Sequence, residues 1–412
     1  MPGSPAASPR VLVAARTGAS ARALARALEP LLAGEDGPLL LPAGPDEDAA
    51  ALAVDAAART VRRPDGARLV MRTSGSTSGS GRLVGLSGAQ LRASAAATDE
   101  SLGGPGTWVL ALPPHHIAGL QVIVRSVLAG REPVVVENRA TPERIARAVG
   151  EAARRDPHGR VHVSLVPTQL ADALADDAAV GALTGAASVL VGGATTPAPL
   201  VAASRDAGLT LRLSYGMSET CGGCVHDGLP LPGVRVAFGP PDGGDGPDGR
   251  PGGRVWLSGP MVMSDYLDGE TGVRVLGGGR WLATSDLGSM SGGRLAVDGR
   301  VDDVIVSGGL KISAPAVAEA VLGTGLVSRC VVVGLDDERW GRLVAAAVVA
   351  PGGLDAAGLR DAVGRAIGRE RAPRVIGRFD ELPMLASGKP DRAAIRALLS
   401  GARVDGTAWE RG

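Results

Sequence analysis

The chain has 412 residues, 43 acidic and 43 basic side chains and a formal net charge of zero, which excludes a strongly basic surface for nucleic acid or an anionic membrane. Apolar residues make up 45% and charged residues 21%, which is typical of a soluble globular protein, and no run of ~18 apolar residues predicts a membrane span. The length predicts two domains. Three cysteines are too few for a disulfide framework and fit a reducing, cytoplasmic location.

The first half of the chain predicts an α/β arrangement. Apolar runs of strand length alternate with helical patterns, which favours layers of helix around a largely parallel sheet. The predicted strands lie at 10–15, 68–72, 107–112, 132–136, 161–166, 188–192 and 209–214. The predicted helices lie at 20–33, 47–60, 88–100, 118–129, 141–154, 168–176 and 197–206.

The pattern changes after residue 228. Residues 233–238 and 254–257 alternate with period two and are separated by a Gly/Pro-rich loop, which predicts a hairpin. Short strands at 280–283 and 294–297 would complete a small β-subdomain. We therefore predict an N-terminal domain over residues 1–301.

Residues 302–412 are predicted to form a second, α+β domain. Its expected elements are helices at 314–323 and 354–369, strands at 328–334 and 342–350, and a closing helix that begins at Pro390.

A loop rich in Ser, Thr and Gly follows the strand at 68–72. Residues 73–82 read TSGSTSGSGR. Glycines let backbone N–H groups curl round phosphate oxygens, and hydroxyls add donors. No Gly-Lys-Ser/Thr follows, so this is not a Walker A loop. Because a strand precedes the loop and a helix is predicted after it, phosphate binding is favoured over a flexible linker.

Three residues in the segment 214–220 could contact a nucleotide. The Tyr215 ring could stack, the Ser218 hydroxyl could meet a phosphate, and the Glu219 carboxylate could bind Mg²⁺. A strand-end turn with a solvated Glu219 is the alternative. Asp286, predicted at a strand end, could bind ribose hydroxyls, with an Asx turn as the alternative.

Histidine and cysteine pairs are weaker candidates. His115 and His116 follow two prolines after a strand, and one of them lining a pocket is the favoured interpretation. Cys221 and Cys224 lack the further ligands that a structural zinc requires, so packing within a Gly-rich loop is favoured over metal or redox chemistry.

Lys389 stands out by composition, because only Lys311 and Lys389 among the 43 basic residues are lysine. It precedes the closing helix, whose N-terminal dipole disfavours a cation. A residue that breaks a local rule in this way is a candidate for function.

The order of these segments resembles the adenylate-forming superfamily of acyl-CoA synthetases, adenylation domains and luciferases. The motifs that carry the resemblance are residues 73–82, 113–116, 192–194, 215–219, 285–288, 299–309 and 387–389. The resemblance implies a large N-terminal domain of layered α/β sheets with a small β-subdomain, and a small mobile α+β C-terminal domain. It implies an AMP-forming acid–thiol ligase that uses ATP, Mg²⁺ and CoA. Residues 113–130 and 221–236 are most similar to the menaquinone-biosynthesis branch, which implies 2-succinylbenzoate as the acid.

The resemblance also implies roles for individual residues. The nucleotide and CoA would be bound by Thr73, Ser74, Gly75, Ser76, Thr77, Arg82, Gly192, Gly193, Ala194, Tyr215, Gly216, Asp286, Arg300, Gly308, Gly309 and Lys311. Asp302 would be the hinge between the domains. The catalytic group would comprise the lysine Lys389, Ser218 at the α-phosphate, the Mg²⁺ ligand Glu219, and His116 beside the acyl pocket.

The chain departs from the family pattern at three places. The phosphate loop carries Arg82 where lysine is usual, Ser218 stands where threonine is usual, and Ser285 replaces a usual glycine before Asp286. The altered phosphate loop leaves a nucleotide-binding homologue with impaired catalysis as an alternative. The Ala/Gly/Val-rich composition does not select the acid, so an aryl- or fatty acyl-CoA ligase is a further alternative, as is a free-standing adenylation module.

Overall fold

The structure is a computed structural model that describes residues 9–61, 63–64, 66–73, 81–239, 252–269, 271–384 and 390–411. Five residues of the predicted site lie outside the described residues: Ser74, Gly75, Ser76, Thr77 and Lys389.

The chain divides into two compact units. The first comprises Met1–Asp245, Trp256–Ala283 and Ser291–Leu295, and the second comprises Gly246–Val255, Thr284–Met290 and Ala296–Gly412. The predicted α/β class is confirmed. The predicted boundary between residues 301 and 302 stays a prediction.

Strands and helices alternate through residue 230. The strands are β1 Arg10–Val13, β2 Leu40–Ala43, β3 Leu69–Arg72, β4 Leu83–Leu86, β5 Thr107–Leu110, β6 Val134–Val135, β7 Val161–Leu165, β8 Ser188–Gly192, β9 Leu211–Met217, β10 Gly222–His226 and β11 Leu229–Pro230. The helices are α1 Gly18–Ala33, α2 Ala49–Arg59, α3 Gly88–Ser101, α4 Ile117–Leu128, α5 Pro142–Arg155, α6 Pro167–Leu174, α7 Asp177–Thr184 and α8 Ala198–Asp206.

Strands dominate the remainder. They are β12 Arg235–Phe238, β13 Gly252–Ser258, β14 Asp265–Tyr266, β15 Val273–Leu276, β16 Gly279–Ser291, β17 Arg294–Arg300, β18 Val304–Ser307, β19 Leu310–Ser313, β20 Arg329–Asp337, β21 Gly341–Val349, β22 Val375–Arg378 and β23 Trp409–Glu410. The helices are α9 Ala314–Leu322, α10 Ala356–Ile367 and α11 Arg392–Val404.

The first sheet has the strand order β1-β2-β3-β4-β14, and residues 73–82 lie in the chain between β3 and β4. Strands β1, β2 and β3 are parallel, whereas β4 runs antiparallel to β3. The loop at 73–82 therefore joins two paired strands, and its ends are held by the Thr73 N–H, which donates to the Arg82 carbonyl at 3.0 Å. The helix predicted after these residues is confirmed as α3, and β4, which was not predicted, lies between them. Its four residues are all buried, so the strand lacks the polar alternation that marks a half-exposed one.

The second sheet has the order β11-β10-β9-β8-β7-β5-β6. Strands β6, β5, β7, β8 and β9 are parallel. Because β6 lies on one side of β5 and β7 on the other, the strand order reverses at β5. Open parallel sheets bind ligands at the carboxyl ends of the strands beside such a reversal. Apolar side chains of α5, α6 and α7 form one core with β5, β7 and β8.

The third sheet has the order β12-β13-β16-β15, and the division between the two units passes through β13 and β16. The short strand predicted at 280–283 is part of β16, which has 13 residues. No helix in the described part of the chain is long and apolar enough to cross a membrane.

In the second unit, apolar clusters cover both faces of the sheet at β21. Leu343, Ala345 and Ala347 lie in one apolar cluster with Ile395 and Leu399 of α11. Val344, Ala346 and Val348 lie in the other, with residues of α9 and α10. This period-two division explains why β21 is a continuous apolar run, because both of its faces are covered.

The closing helix begins later than predicted. Asp391 caps α11 by accepting hydrogen bonds from the backbone N–H groups of Ala393 at 3.1 Å and Ala394 at 3.0 Å. Pro390 is instead paired with Met384 in an isolated β-bridge. The prediction that Pro390 is the first helical residue was therefore wrong. The carboxylate cap was the stronger signal, because it satisfies two N–H groups that the helix leaves unpaired.

Candidate active site

Gly192 and Tyr215 lie on neighbouring parallel strands of the first unit. Gly192 ends β8 and pairs with Ser214 of β9, so residues 192–194 follow one strand beside Tyr215 on the other. A Cβ on Gly192 would lie 2.7 Å from the Ser214 carbonyl oxygen, so this close approach requires glycine. Gly193 has φ +81°, and Gly193 and Ala194 are exposed. The structure thus brings together the residues assigned to adenine.

His116 lies where the strand order reverses. It follows β5 and occupies the N-cap position of α4, with its ring centroid 4.3 Å from that of His115. The His115 Nδ1 atom lies 3.3 Å from the Ala14 carbonyl, and burial lowers the pKa of His115. Both rings stand at the carboxyl edge of the sheet, in a turn and not in a strand.

Ser218 and Glu219 occupy a 3₁₀ turn, Ser218–Thr220, that joins β9 to β10. The next residue, Cys221, has left-handed backbone with φ 52°, which costs energy in a non-glycine residue. Two buried side chains hold this residue, because its carbonyl accepts from Ser94 Oγ at 2.9 Å and from Gln121 Nε2 at 2.7 Å. Helices α3 and α4 thereby fix the turn that carries Ser218 and Glu219.

The Cys221-to-Cys224 segment belongs to this hairpin. Gly222 to His226 form β10, and the register shifts between Gly223 and Val225, which places Cys224 at a bulge. The interpretation of this segment as a Gly-rich loop was therefore wrong. Two adjacent glycines have low strand propensity, so the sequence does not predict β10. Pairing with β9 stabilises it. Burial raises the pKa of the Cys221 thiol above its ordinary range, which does not favour a reactive thiolate.

Gly216 provides a test of how tightly this hairpin must close. A Cβ at this position would lie 2.0 Å from the Gly222 carbonyl oxygen. Gly216→Ala should lower the free energy of unfolding by about 1–3 kcal/mol, because backbone must move to admit the methyl group. Gly181→Ala is the matched control: its Cβ would have nothing within 4 Å, and Ala favours the helix. Thermal unfolding measures both variants, and equal melting temperatures would contradict the requirement for glycine at residue 216.

Glu219 begins a chain of contacts that leads to Arg82. The Tyr266 hydroxyl donates to Glu219 Oε1 at 2.9 Å. The Arg82 guanidinium carbon lies 3.4 Å from the centroid of the Tyr266 ring. Arg82 also donates twice to Asp268, with Nε 2.9 Å from Oδ2 and Nη2 2.6 Å from Oδ1. The arginine assigned to phosphate is thus engaged with Tyr266 and Asp268.

The Tyr266 hydroxyl keeps its proton. Burial, the Glu219 charge and the hydrogen bond between them all raise the pKa of Tyr266 above its ordinary value. The phenol therefore acts as a donor to the carboxylate throughout the physiological pH range. Sequence reasoning missed Tyr266 and Asp268, although Tyr266 is one of only two tyrosines.

Glu219 fits a magnesium ion that is bound jointly with phosphates. Among the described residues, no group of three or more His, Cys, Asp or Glu side chains could hold a metal ion by itself. Mg²⁺ in nucleotide sites takes one or two protein carboxylates, and phosphate oxygens and water complete its shell. One partly exposed glutamate at a turn is consistent with that pattern.

Asp286 lies in the second unit, within the 13-residue strand β16. The prediction of a strand end was wrong, because Thr284 and Ser285 do not interrupt the strand. Asp286 is buried, and its backbone N–H donates to Thr284 Oγ1 at 3.0 Å. Arg300 is exposed and ends β17, directly before the 3₁₀ turn Val301–Asp303, which contains Asp302.

Gly308 and Gly309 form the two-residue turn between β18 and β19. Their φ angles are +56° and +82°, as a tight hairpin of this hand requires. The Gly308 N–H donates to the Trp340 carbonyl at 2.9 Å, and a Cβ on Gly308 would lie 2.7 Å from the Trp340 ring. Lys311 is exposed on β19, where it pairs with Val306. These three assigned residues therefore share one hairpin.

Two family models match the chain. The model described as "AMP-binding enzyme" matches residues 6–267, and the model described as "AMP-binding enzyme C-terminal domain" matches residues 316–389.

Individual relatives agree with these matches. A Mycobacterium tuberculosis protein (strain CDC 1551) named "Probable 2-succinylbenzoate–CoA ligase" is 41% identical over 340 residues, which covers 80% of this chain and 84% of that protein. An indoleacetate–CoA ligase of Aromatoleum aromaticum is 32% identical over 312 residues, which covers 70% of this chain and 58% of that protein. The solved o-succinylbenzoate–coenzyme A synthetase of Bacillus subtilis, in complex with AMP, has a TM-score of 0.71 and 25% identity, covering 94% of this chain and 83% of that one.

Proposed function

This chain belongs to the AMP-binding enzyme family, and we propose that it uses ATP to join 2-succinylbenzoate to CoA, with release of AMP and pyrophosphate. The product would be the thioester required in menaquinone biosynthesis. The observation that carries the proposal is the 41% identity over 80% of the chain to the Mycobacterium protein. The geometry agrees with it, since Gly192 and Tyr215 lie on adjoining strands and Glu219 lies in the turn after Tyr215.

In the first half-reaction, a carboxylate oxygen of the acid attacks the α-phosphorus of ATP, and pyrophosphate leaves. Gly192 to Ala194 and Tyr215 hold the adenine, and the Ser218 hydroxyl donates to the α-phosphate. Glu219 would hold Mg²⁺, which when bound would neutralise charge on the phosphate oxygens. Lys389 places an ammonium between the entering carboxylate and the phosphoryl oxygens, where negative charge accumulates.

In the second half-reaction, the CoA thiol attacks the acyl carbon of the adenylate, and AMP leaves. The residues proposed for this step lie in the β18–β19 hairpin: Gly308, Gly309 and Lys311. A hinge at Asp302 would withdraw Lys389 after adenylation and bring this hairpin to the acyl group. His116, at the edge of the sheet, would flank the acid during both steps.

We also propose a cytoplasmic location. It is supported by the cysteine content, because the three cysteines, Cys221, Cys224 and Cys330, are too few for the disulfide framework of a small secreted protein.

A second candidate is an aryl-CoA ligase of another pathway. The 32% identity to an indoleacetate–CoA ligase favours it, because that relative has the same class of thiol acceptor and a different aromatic acid.

Pyrophosphate exchange into ATP decides between these functions without CoA. The purified chain is incubated with ATP, Mg²⁺, labelled pyrophosphate and one acid from a panel that contains 2-succinylbenzoate, benzoate, indoleacetate and a medium-chain fatty acid. We expect exchange with 2-succinylbenzoate at least tenfold above every other acid. Preference for indoleacetate or benzoate would support the second candidate, and background exchange with all acids would indicate a homologue with impaired catalysis.

A further inference from the structure

Tyr266 contacts Glu219, the proposed magnesium ligand, through its side chain. Its hydroxyl donates to Glu219 Oε1 at 2.9 Å, and the ring lies on β14. Because β14 pairs with β4, the strand that follows the phosphate loop, Tyr266 connects the loop strand to the turn on the second sheet. The two residues are 47 positions apart in sequence, so the contact depends on the tertiary fold.

A second contact fixes the ring itself. The guanidinium of Arg82 stacks on the Tyr266 ring 3.4 Å from its centroid, and a bidentate ion pair with Asp268 holds that guanidinium in place. A planar guanidinium can stack on an aromatic ring and bind both carboxylate oxygens at once, whereas an ammonium acts as a point charge. Arg82 makes both contacts at once, which a lysine at this position could not do.

We propose that Tyr266 is a positioning residue for Glu219, and that Arg82 supports the Tyr266 ring instead of serving mainly as a phosphate ligand. The hydroxyl fixes one carboxylate oxygen, so the carboxylate meets the Mg²⁺ of the bound nucleotide in a single orientation. A carboxylate that must first be ordered binds a metal more weakly. Mutation of a residue that hydrogen-bonds to a metal ligand typically lowers metal affinity by about 10–100-fold. The inference rests on the proposed function, because it needs a site for Mg·ATP.

The test is nucleotide binding, measured by titration calorimetry with ATP in EDTA and with ATP in excess Mg²⁺. Tyr266→Phe keeps the ring for Arg82 and removes only the hydroxyl. We expect the Mg²⁺-dependent gain in ATP affinity to fall about tenfold, with metal-free binding changed less than twofold. Ser126→Ala is the matched control, because it removes another buried hydroxyl, which donates to the Val122 carbonyl at 2.8 Å within α4. That control should bind like the wild type under both conditions.

A double-mutant cycle shows whether Tyr266 acts through Glu219. In a Glu219→Gln background, Tyr266→Phe should produce no further change in the Mg²⁺-dependent gain. Arg82→Lys should lower the gain in the same direction as Tyr266→Phe, since lysine cannot both stack and bind Asp268 bidentately. It is also the second variant if Tyr266→Phe unfolds.

The outcomes distinguish a failure of the positioning role from a failure of the proposed magnesium site. If Tyr266→Phe weakens ATP binding equally with and without Mg²⁺, or still acts in the Glu219→Gln background, the positioning role is wrong. If Arg82→Lys binds like the wild type, the supporting role of Arg82 is wrong. If Mg²⁺ does not change ATP binding to the wild type, the proposed magnesium site fails, and this inference fails with it.

Discussion

Replacing Lys389 with alanine is expected to slow adenylate formation by about 10²–10³-fold, the usual loss when one group that stabilises transition-state charge is removed. The same variant should convert supplied acyl-adenylate and CoA to thioester within about threefold of the wild-type rate, because the proposed mechanism withdraws the lysine before the second step. Pyrophosphate exchange measures the first half-reaction, and release of AMP from synthetic adenylate measures the second.

The chain supplies its own control, since Lys311 is its only other lysine. Lys311 is exposed in the β18–β19 hairpin, so Lys311→Ala should lower the thioester step and leave adenylation within about threefold. Lys389→Arg should remain at least tenfold slow in adenylation, because a guanidinium fork is not equivalent to a mobile ammonium. Equal loss of both half-reactions in Lys389→Ala would contradict the assignment.

Removing Asp156 is expected to cost about 3–5 kcal/mol of unfolding free energy, the usual result of breaking a buried ion pair. Its side chain is fully buried. One oxygen accepts from Arg131 at 2.6 Å and from the Thr107 N–H and hydroxyl at 2.9 and 3.0 Å. The other accepts from the backbone N–H groups of His158 at 2.9 Å and Arg160 at 3.0 Å. Asp156 thus joins the ends of α5, β5 and β7.

The pH dependence of this effect follows from the pKa of Asp156. Burial alone would raise it, but the bonds from Arg160, His158 and Thr107 and the charge of Arg131 lower it to about 2. Because this folded-state value lies below the ordinary one, the stabilisation is present above about pH 4 and is lost as the pH falls toward 2. The melting-temperature gap between wild type and Asp156→Ala should therefore narrow over that range.

Asp176→Ala is the control for this prediction. Asp176 caps α7 through one bond, accepted from the Ala179 N–H at 2.8 Å, so its loss should cost about 1 kcal/mol. If Asp156→Ala has the same melting temperature as the control at neutral pH, the buried hydrogen-bond network contributes little to stability.

Residue type and the order of the motifs along the chain predict part of the candidate site. The resemblance to the adenylate-forming superfamily implies Gly192, whereas a ring, a hydroxyl and a carboxylate at Tyr215, Ser218 and Glu219 predict contacts with a nucleotide. The structure brings these four residues to β8, β9 and the turn that follows. The parallel strands β5 to β9 of the second sheet were all predicted, since their apolar runs alternate with amphipathic helices.

The missed features depend on contacts that are distant along the chain. Gln121 reaches the Cys221 carbonyl across 100 residues, and the Tyr266–Glu219 contact spans 47. No local pattern encodes such pairs, because only the tertiary fold brings α4 and β14 to the turn between β9 and β10. Strand β10 was missed for a related reason: Gly222 and Gly223 have little strand propensity, and β9 supplies the pairing.

The most direct test of the proposed ligase activity is the product balance with all substrates present. The chain is incubated with ATP, Mg²⁺, CoA and 2-succinylbenzoate, and the thioester and nucleotides are quantified together by mass spectrometry. We expect 2-succinylbenzoyl-CoA and AMP in equal amounts, with no ADP. Formation of ADP, AMP release without thioester, or no thioester from this acid while another acid is converted would contradict it.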